Sequence, residues 1–196
     1  MRSLLLAAAL VAVSCGGAAQ PAPAPLRTAA ATVAPAVART PAPTAAAFPC
    51  PTGGQPATKA TIELVKGGSI VIALRADKAP CTVANFAKNA REGKYDGLTF
   101  HRVEPAFVIQ GGDPEGTGRG GGNQATELSD LPFTTGAVGI ARGGDIKVSN
   151  LMQFFACTGS CRHLDGAYTN FGQVTGGQDA ADGVRVGDRI KTIRIE

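Results

Sequence analysis

An arginine and a glutamine eight residues apart, Arg102 and Gln110, stand inside the apolar stretch Phe100–Asp113, FHRVEPAFVIQGGD. Beside them is His101, one of two histidines in the chain. Other groupings suggest chemistry but fall short of it. Gly159-Ser160-Cys161 is not the Gly-x-Ser-x-Gly elbow that raises a nucleophile on a strand-to-helix turn, so a hydrolase built on His101 or His163 lacks its nucleophile. Cys157, Cys161 and His163 supply three zinc-type ligands where a structural site needs four, and no metal is expected. The string GTGRGG (Gly116–Gly121) fits the dinucleotide fingerprint, which requires a strand before it and a helix opening from it. Here it follows GGDPE and leads into NQATELSD, which has no apolar helical stripe. No cofactor is therefore expected, and the glycines read as a loop. Arg102 is a rigid and permanently charged donor, a type that can bind without transferring a proton. Taken alone, an arginine in FHRV reads as a solvated strand residue and a phenylalanine in QFF as core. Strict alternation along the strand would put Phe100 and Arg102 on one face.

These side chains must be positioned by short strands. Two β-rich runs, Thr61–Val65 and Ser69–Leu74, are separated by Lys66-Gly67-Gly68, a hairpin signal. Pro80 then opens a helix where its missing N–H costs nothing. Val83, Phe86, Ala87 and Ala90 form its buried stripe at i, i+3, i+4 and i+7, and Gly93 stops it. Further strands are expected at Leu98–Val103, Phe107–Gln110, Ala137–Ala141, Gln153–Cys157, Asn170–Val174 and Arg189–Ile195. A second helix over Gln178–Val186 is expected to be short because of Gly183. Eight short strands, two capping helices and 26 glycines predict a mainly β domain, a closed eight-stranded antiparallel barrel.

The N-terminal quarter has a different composition. The first 48 residues hold no carboxylate and only Arg2, Arg27 and Arg39 as charges, so the net +4 comes mainly from this segment. The remainder is close to neutral, without the clustered cations that nucleic acid requires. Residues 1–15 read as a signal peptide: Arg2, a ten-residue apolar run too short to cross a bilayer, then Ser14 and Cys15. AVSC resembles a bacterial lipoprotein cleavage box, which implies a lipid anchor on Cys15 and an exported, membrane-attached protein. Residues 16–49 are Ala, Pro and Thr with little else; their prolines forbid a stable helix, and the segment reads as a disordered tether. Residues 50–196 form the folded domain, and a monomer is expected.

From Ala60 onward the chain resembles a cyclophilin, a peptidyl-prolyl cis-trans isomerase. The resemblance rests on FHRVEPAFVIQGGD, then GTGRGG, QFFACT (Gln153–Thr158) and LDGAYTNFGQV (Leu164–Val174), in the family's order and rough spacing. RADKAPCTVANF resembles the family's entry to its first helix. The match implies that Arg102 is the catalytic arginine, with Gln110 beside it and Phe107 at the reacting ring. Phe107, Val108, Phe155 and Leu164 match the pocket for the proline ring. His101, Ala141, Gln153 and Tyr168 match further substrate contacts. His163 stands where many members carry the Trp associated with tight cyclosporin binding, so weakened cyclosporin affinity is expected. Tyr168 replaces a common His, and Arg142-Gly143 replaces a usual Asn-Ala pair. The stretch Gly143–Met152 is about two residues longer than in the best-known members.

The implied activity is acceleration of rotation about X–Pro bonds in exported or envelope proteins, with proline-containing peptides as partners and no nucleic acid. A proline-peptide binding module on the same fold, without turnover, is the alternative. With Cys15 given to lipid, Cys50, Cys81, Cys157 and Cys161 allow three disulfide pairings. Cys50–Cys81 is preferred because it would tie the start of the domain to the first helix, and some exported bacterial cyclophilins look similar at both positions. Cys157–Cys161 would then bridge a turn.

Overall fold

The computed structural model describes residues 48–51 and 54–196. The expected signal peptide, the lipid-anchor candidate Cys15 and all but the last two residues of the tether lie outside them. The described chain forms β1 (Lys59–Leu64), β2 (Ser69–Leu74), α1 (Pro80–Arg91), β3 (Phe100–Glu104), β4 (Val108–Gly111) and β5 (Asn123–Ala125). It continues through β6 (Ala137–Arg142), β7 (Val148–Cys157), a 3-10 turn (Arg162–Leu164), β8 (Asn170–Gly176), α2 (Gln178–Asp182) and β9 (Ile190–Ile195). All strand pairs are antiparallel, in the order β3-β4-β7-β6-β8-β2-β1-β9, with β5 added beside β7.

The fold is mainly β with two helices, but the barrel is not closed. The two ends of the sheet path, β3 and β9, share no ladder. They meet at the isolated bridge Thr99–Arg189, clipped by Phe100 N–H to Asp188 O at 2.9 Å and Ile190 N–H to Leu98 O at 2.9 Å. Beyond this clip β3 bulges and turns away, while β9 pairs with β1. The sheet is thus an open curl. β5 is a further departure: a polar three-residue strand in a stretch read as loop.

Each element follows from its residues. β1 and β2 alternate strictly, which buries Ile62, Leu64, Ile70 and Ile72 against the interior. Each such side chain contributes about 1.5–3 kcal/mol on burial. Helix α1 begins at Pro80, and Glu127, distant in sequence, caps it. The Glu127 carboxylate accepts the Cys81 N–H at 3.0 Å and the Thr82 N–H at 2.7 Å, satisfying two donors that a helix start leaves open. The stripe Val83, Phe86, Ala87 and Ala90 is buried as expected, and Gly93 ends the helix at φ 68°. Phe86 meets Tyr95, Phe154 and Phe171 with ring centroids 5.3, 5.6 and 5.2 Å apart, the centre of the main core. Helix α2 stops at Asp182 because Gly183 follows it. Cys50 pairs with Cys81, Cα atoms 4.9 Å apart, which ties the start of the domain to α1. Closing that loop is worth about 3–4 kcal/mol in the chain-entropy account.

Candidate active site

Four neighbouring strands present one straight row of partners. Arg102 on β3 pairs with Gln110 on β4, Gln110 with Phe155 on β7, and Phe155 with Gly139 on β6. Gly139 must be glycine: a Cβ there would run into the rings of Phe155 and Phe133. The two rings lie stacked instead, with centroids 5.6 Å apart.

The strict alternation expected for β3 fails, and the failure makes the site. A bulge falls between Phe100 and Arg102, so that Phe100 faces Gly111 while Arg102 already faces Gln110. The extra residue is His101. An added residue bends a strand and re-aims the side chains beyond it. Phe100 therefore points into the core, fully buried, and Arg102 reaches the outer surface of the curl.

There Arg102 borders a cavity of 370 Å³ whose other walls include Phe107, Val108, Phe155, Leu164 and Tyr168. The guanidinium is fixed from two sides. Glu104 Oε1 accepts from Nε at 3.0 Å and from Nη2 at 2.6 Å, and Gln110 Oε1 accepts from Nη1 at 3.1 Å. Gln110 donates in turn to Gln153 Oε1 at 2.9 Å, and Gln153 donates to the Gly120 carbonyl at 2.8 Å. This relay spends three of the five N–H groups of Arg102 on anchoring and leaves two without an acceptor among the described residues. The Phe107 ring lies 5.6 Å from the guanidinium carbon, within cation–π range. It also packs on His163, centroids 5.0 Å apart.

The apolar floor of the cavity is a small cluster apart from the main core: Val108, Phe133, Ala137, Phe155, Cys157, Cys161 and Leu164, with Phe107 and Tyr168 packed against it. Cys157 and Cys161 pair within it, Cα atoms 6.3 Å apart. The bridged loop touches the turn that carries Phe107. Thr158 N–H donates to the Phe107 carbonyl at 2.8 Å, and a Cβ on Gly159 would overlap the Ala106 carbonyl. His163 and Leu164 come directly after it in the 3-10 turn, so the bridge locates both flanks of the cavity.

A second cavity of 440 Å³ adjoins the first and shares Gln110, Ala141 and Arg142 with it. Its far wall is the glycine loop, held by Asp113. That buried carboxylate accepts the N–H groups of Glu115 at 2.9 Å and Arg119 at 3.1 Å, and it also bonds Gly118 N–H. Burial raises the Asp113 pKa, but the backbone donors at Glu115, Gly118 and Gly120 outweigh it and hold the carboxyl below the usual range. Asn150 braces the opposite side, donating to the Gly120 carbonyl at 2.9 Å while its Oδ1 accepts from Met152 N–H and Gln153 N–H.

Arg102, Phe107, Val108, Gln110, Ala141, Phe155, His163, Leu164 and Tyr168 thus share the first cavity, and Gln153 lines the second. His101 lines neither. It sits under the glycine loop with its ring 3.7 Å from where a Gly118 side chain would begin, and neither ring nitrogen has a hydrogen-bond partner among the described residues. Sequence reasoning missed Asp113 and Asn150, which hold the loop and the Gln153 backbone. For Asp113 a signal existed: an acid placed just before a turn and a glycine run is a standard acceptor for loop N–H groups.

Residues 59–195 match the family model described as cyclophilin type peptidyl-prolyl cis-trans isomerase/CLD. The chain is similar to peptidyl-prolyl cis-trans isomerase B of Bacillus subtilis, 44% identical over 137 residues that cover 68% of this chain and 94% of that protein. It is 42% identical over 142 residues to the peptidyl-prolyl cis-trans isomerase of Synechococcus elongatus, covering 70% of this chain and 96% of that one. Among solved structures, a cyclophilin type isomerase of Cryptosporidium parvum, crystallised in the presence of the dipeptide Ala-Pro, matches with a TM-score of 0.65. It is 26% identical and covers 70% of this chain and 98% of that one.

Proposed function

The chain belongs to the cyclophilin type peptidyl-prolyl cis-trans isomerase family, and from that premise we propose that Arg102 catalyses rotation about X–Pro bonds bound in the 370 Å³ cavity. The observation that carries this reading is a charged, doubly anchored guanidinium facing an apolar pocket. Rotation about a peptide bond crosses a barrier near 18–20 kcal/mol because amide resonance must be broken. In the twisted transition state the proline nitrogen regains its lone pair and becomes an acceptor. A fixed N–H donor at that nitrogen bonds the twisted state better than the planar one, which is differential binding. Arg102 is charged at any physiological pH, so the step needs no proton transfer. Phe107, Phe155 and Leu164 hold the ring and keep water from weakening the donor. About 5 kcal/mol of such selectivity amounts to a rate gain of order thousands.

The test is cis/trans exchange on a proline peptide with wild type and Arg102→Ala side by side. The variant is expected to lose at least about a hundredfold in kcat/KM, roughly 2.7 kcal/mol, while its circular dichroism stays native. Full activity in the variant defeats the mechanism. Affinity for the peptide without accelerated exchange in wild type makes the protein a binding module.

The cellular setting is proposed on sequence grounds. The short apolar N-terminus and the lipobox-like AVSC support an exported protein anchored through lipid on Cys15, which acts on proteins of the cell envelope. Cys15→Ser is expected to move the protein from the membrane to the soluble fraction, and unchanged fractionation sinks the anchor.

A further inference from the structure

We propose that the 440 Å³ cavity beside the proline pocket is a subsite for an acidic side chain of the bound peptide, with Arg142 and Arg119 as its specificity-determining cations. The proposal rests on the isomerase reading only in placing a peptide in the groove. The two cavities meet at Gln110, Ala141 and Arg142, so a chain seated with its proline in one lays a nearby side chain in the other.

The charge of the second cavity is unbalanced. Arg119 and Arg142 both line it, against a single carboxylate, Asp145. Among the described residues neither arginine has a carboxylate within ion-pair distance. Asp145 is turned to its own loop, its carboxylate accepting the Lys147 N–H at 2.9 Å. Arg102, by contrast, already has Glu104, so the excess positive charge of the groove lies in the second cavity.

Arg142 is also preorganised. Its Nε donates to the Ala167 carbonyl at 2.8 Å and its Nη1 to the Gly143 carbonyl at 2.8 Å, while its guanidinium carbon lies 4.4 Å from the Tyr168 ring centre. These contacts fix the plane and leave Nη2 without an acceptor among the described residues. A guanidinium held this way loses little freedom on meeting a carboxylate. Arg119 is held through its backbone N–H, which bonds Asp113 and Thr117, so its side chain is the adjustable member of the pair. Gly143 and Gly144 have open space where side chains would start, so the loop leaves the cavity unobstructed.

The experiment is a peptide panel in which Glu, Gln or Lys is placed at each of three positions on either side of the proline. Exchange gives kcat/KM, and titration gives affinity. At one position Glu is expected to exceed Gln by about two- to fivefold, with Lys below both, the range for a partly solvated charge pair. That preference is expected to shrink in 0.5 M NaCl. Arg142→Met is expected to bring the Glu-to-Gln ratio to about one, Arg119→Met to lower it in part, and Asp145→Asn to raise it. The last variant moves against the trend that simple damage would produce. Equal kcat/KM and equal affinity for Glu and Gln at all six positions overturns the subsite. So does a wild-type ratio retained in both arginine variants. If no peptide is accelerated yet Glu still binds better than Gln in an Arg142-dependent way, the isomerase reading fails and the subsite stands.

Discussion

Two adjacent phenylalanines, Phe154 and Phe155, belong to two different parts of this molecule. Phe154 points inside the curl and meets Phe86, Tyr95 and Phe100 edge-on, with centroids 5.6, 5.8 and 6.3 Å apart. Phe155, one residue on, faces the other way, stacks on Phe133 and floors the 370 Å³ cavity. The period of two that a strand imposes is what divides them. The inner cluster includes α1 and residues from eight of the nine strands, and it fixes the fold. The outer cluster has seven buried members and a disulfide, and it fixes the pocket. Stability and the proposed catalysis are thus carried on opposite faces of the same strand.

The largest expected effect separates those faces. Phe154→Ala removes a ring that is 1% exposed from the centre of the main core, which costs about 3–5 kcal/mol. That is a large share of the stability of any domain this size. Phe155→Ala empties a site open to the groove, where water enters the space left. It is expected to cost less stability, about 2–3 kcal/mol, while raising KM for a proline peptide. Thermal melts and exchange kinetics on both variants check this. Equal melting losses, or a KM effect confined to Phe154→Ala, breaks the division between the two clusters.

The inner cluster is more legible in the sequence than the outer surface. Strict alternation marks β1 and β2, and the i, i+3, i+4 stripe marks α1, because burial on one face writes a period into the chain. The outer surface has no such period. The bulge at His101 depends on pairing with β4, which no local pattern records, so strict alternation puts Arg102 on the wrong face. β5 is three residues of Asn, Gln and Ala, held by pairing with β7, and carries no apolar signal. Strand number alone implies a closed barrel, yet the sheet ends join through one bridge. The pocket residues are legible only through the family motif, since a solvated arginine and a catalytic one look alike in isolation.

A smaller effect tests the loop that walls the second cavity. Asp113 is 1% exposed and is held ionised by loop N–H groups, so its folded pKa lies below its unfolded one. A carboxyl shifted in that direction adds stability above its unfolded pKa and loses it as pH falls through the folded value. The wild type is therefore expected to lose part of its stability as the pH drops below about 4, the ordinary carboxylate value. Asp113→Asn keeps the shape but not the charge. It is expected to cost about 1.5–3 kcal/mol at neutral pH and to flatten that part of the acid dependence. Denaturant melts from pH 7 to pH 2 measure both slopes. An unchanged slope in the variant means that Asp113 does not carry the loop.

The smallest expected effect lies where the outer cluster carries strain that the inner one lacks. Glu104 to Phe107 is a tight turn, closed by the Phe107 N–H on the Glu104 carbonyl at 3.1 Å. Pro105 suits its first central position, but Ala106 occupies the second at φ 56°, in the left-handed region that favours glycine. It is the non-glycine residue with positive φ among the described residues. An L-residue in that region costs about 1–2 kcal/mol. Glycine would remove this cost but loses more backbone freedom on folding, by about 0.5–1 kcal/mol. Ala106→Gly is therefore expected to stabilise by about 0.5–1 kcal/mol net, a rise of roughly 1–4 °C in Tm for a domain of this size. A lower Tm means that the packing of Ala106 against the disulfide-bridged loop outweighs its backbone strain. The turn that aims Phe107 at Arg102 would then be held by side-chain contact, as the inner cluster is.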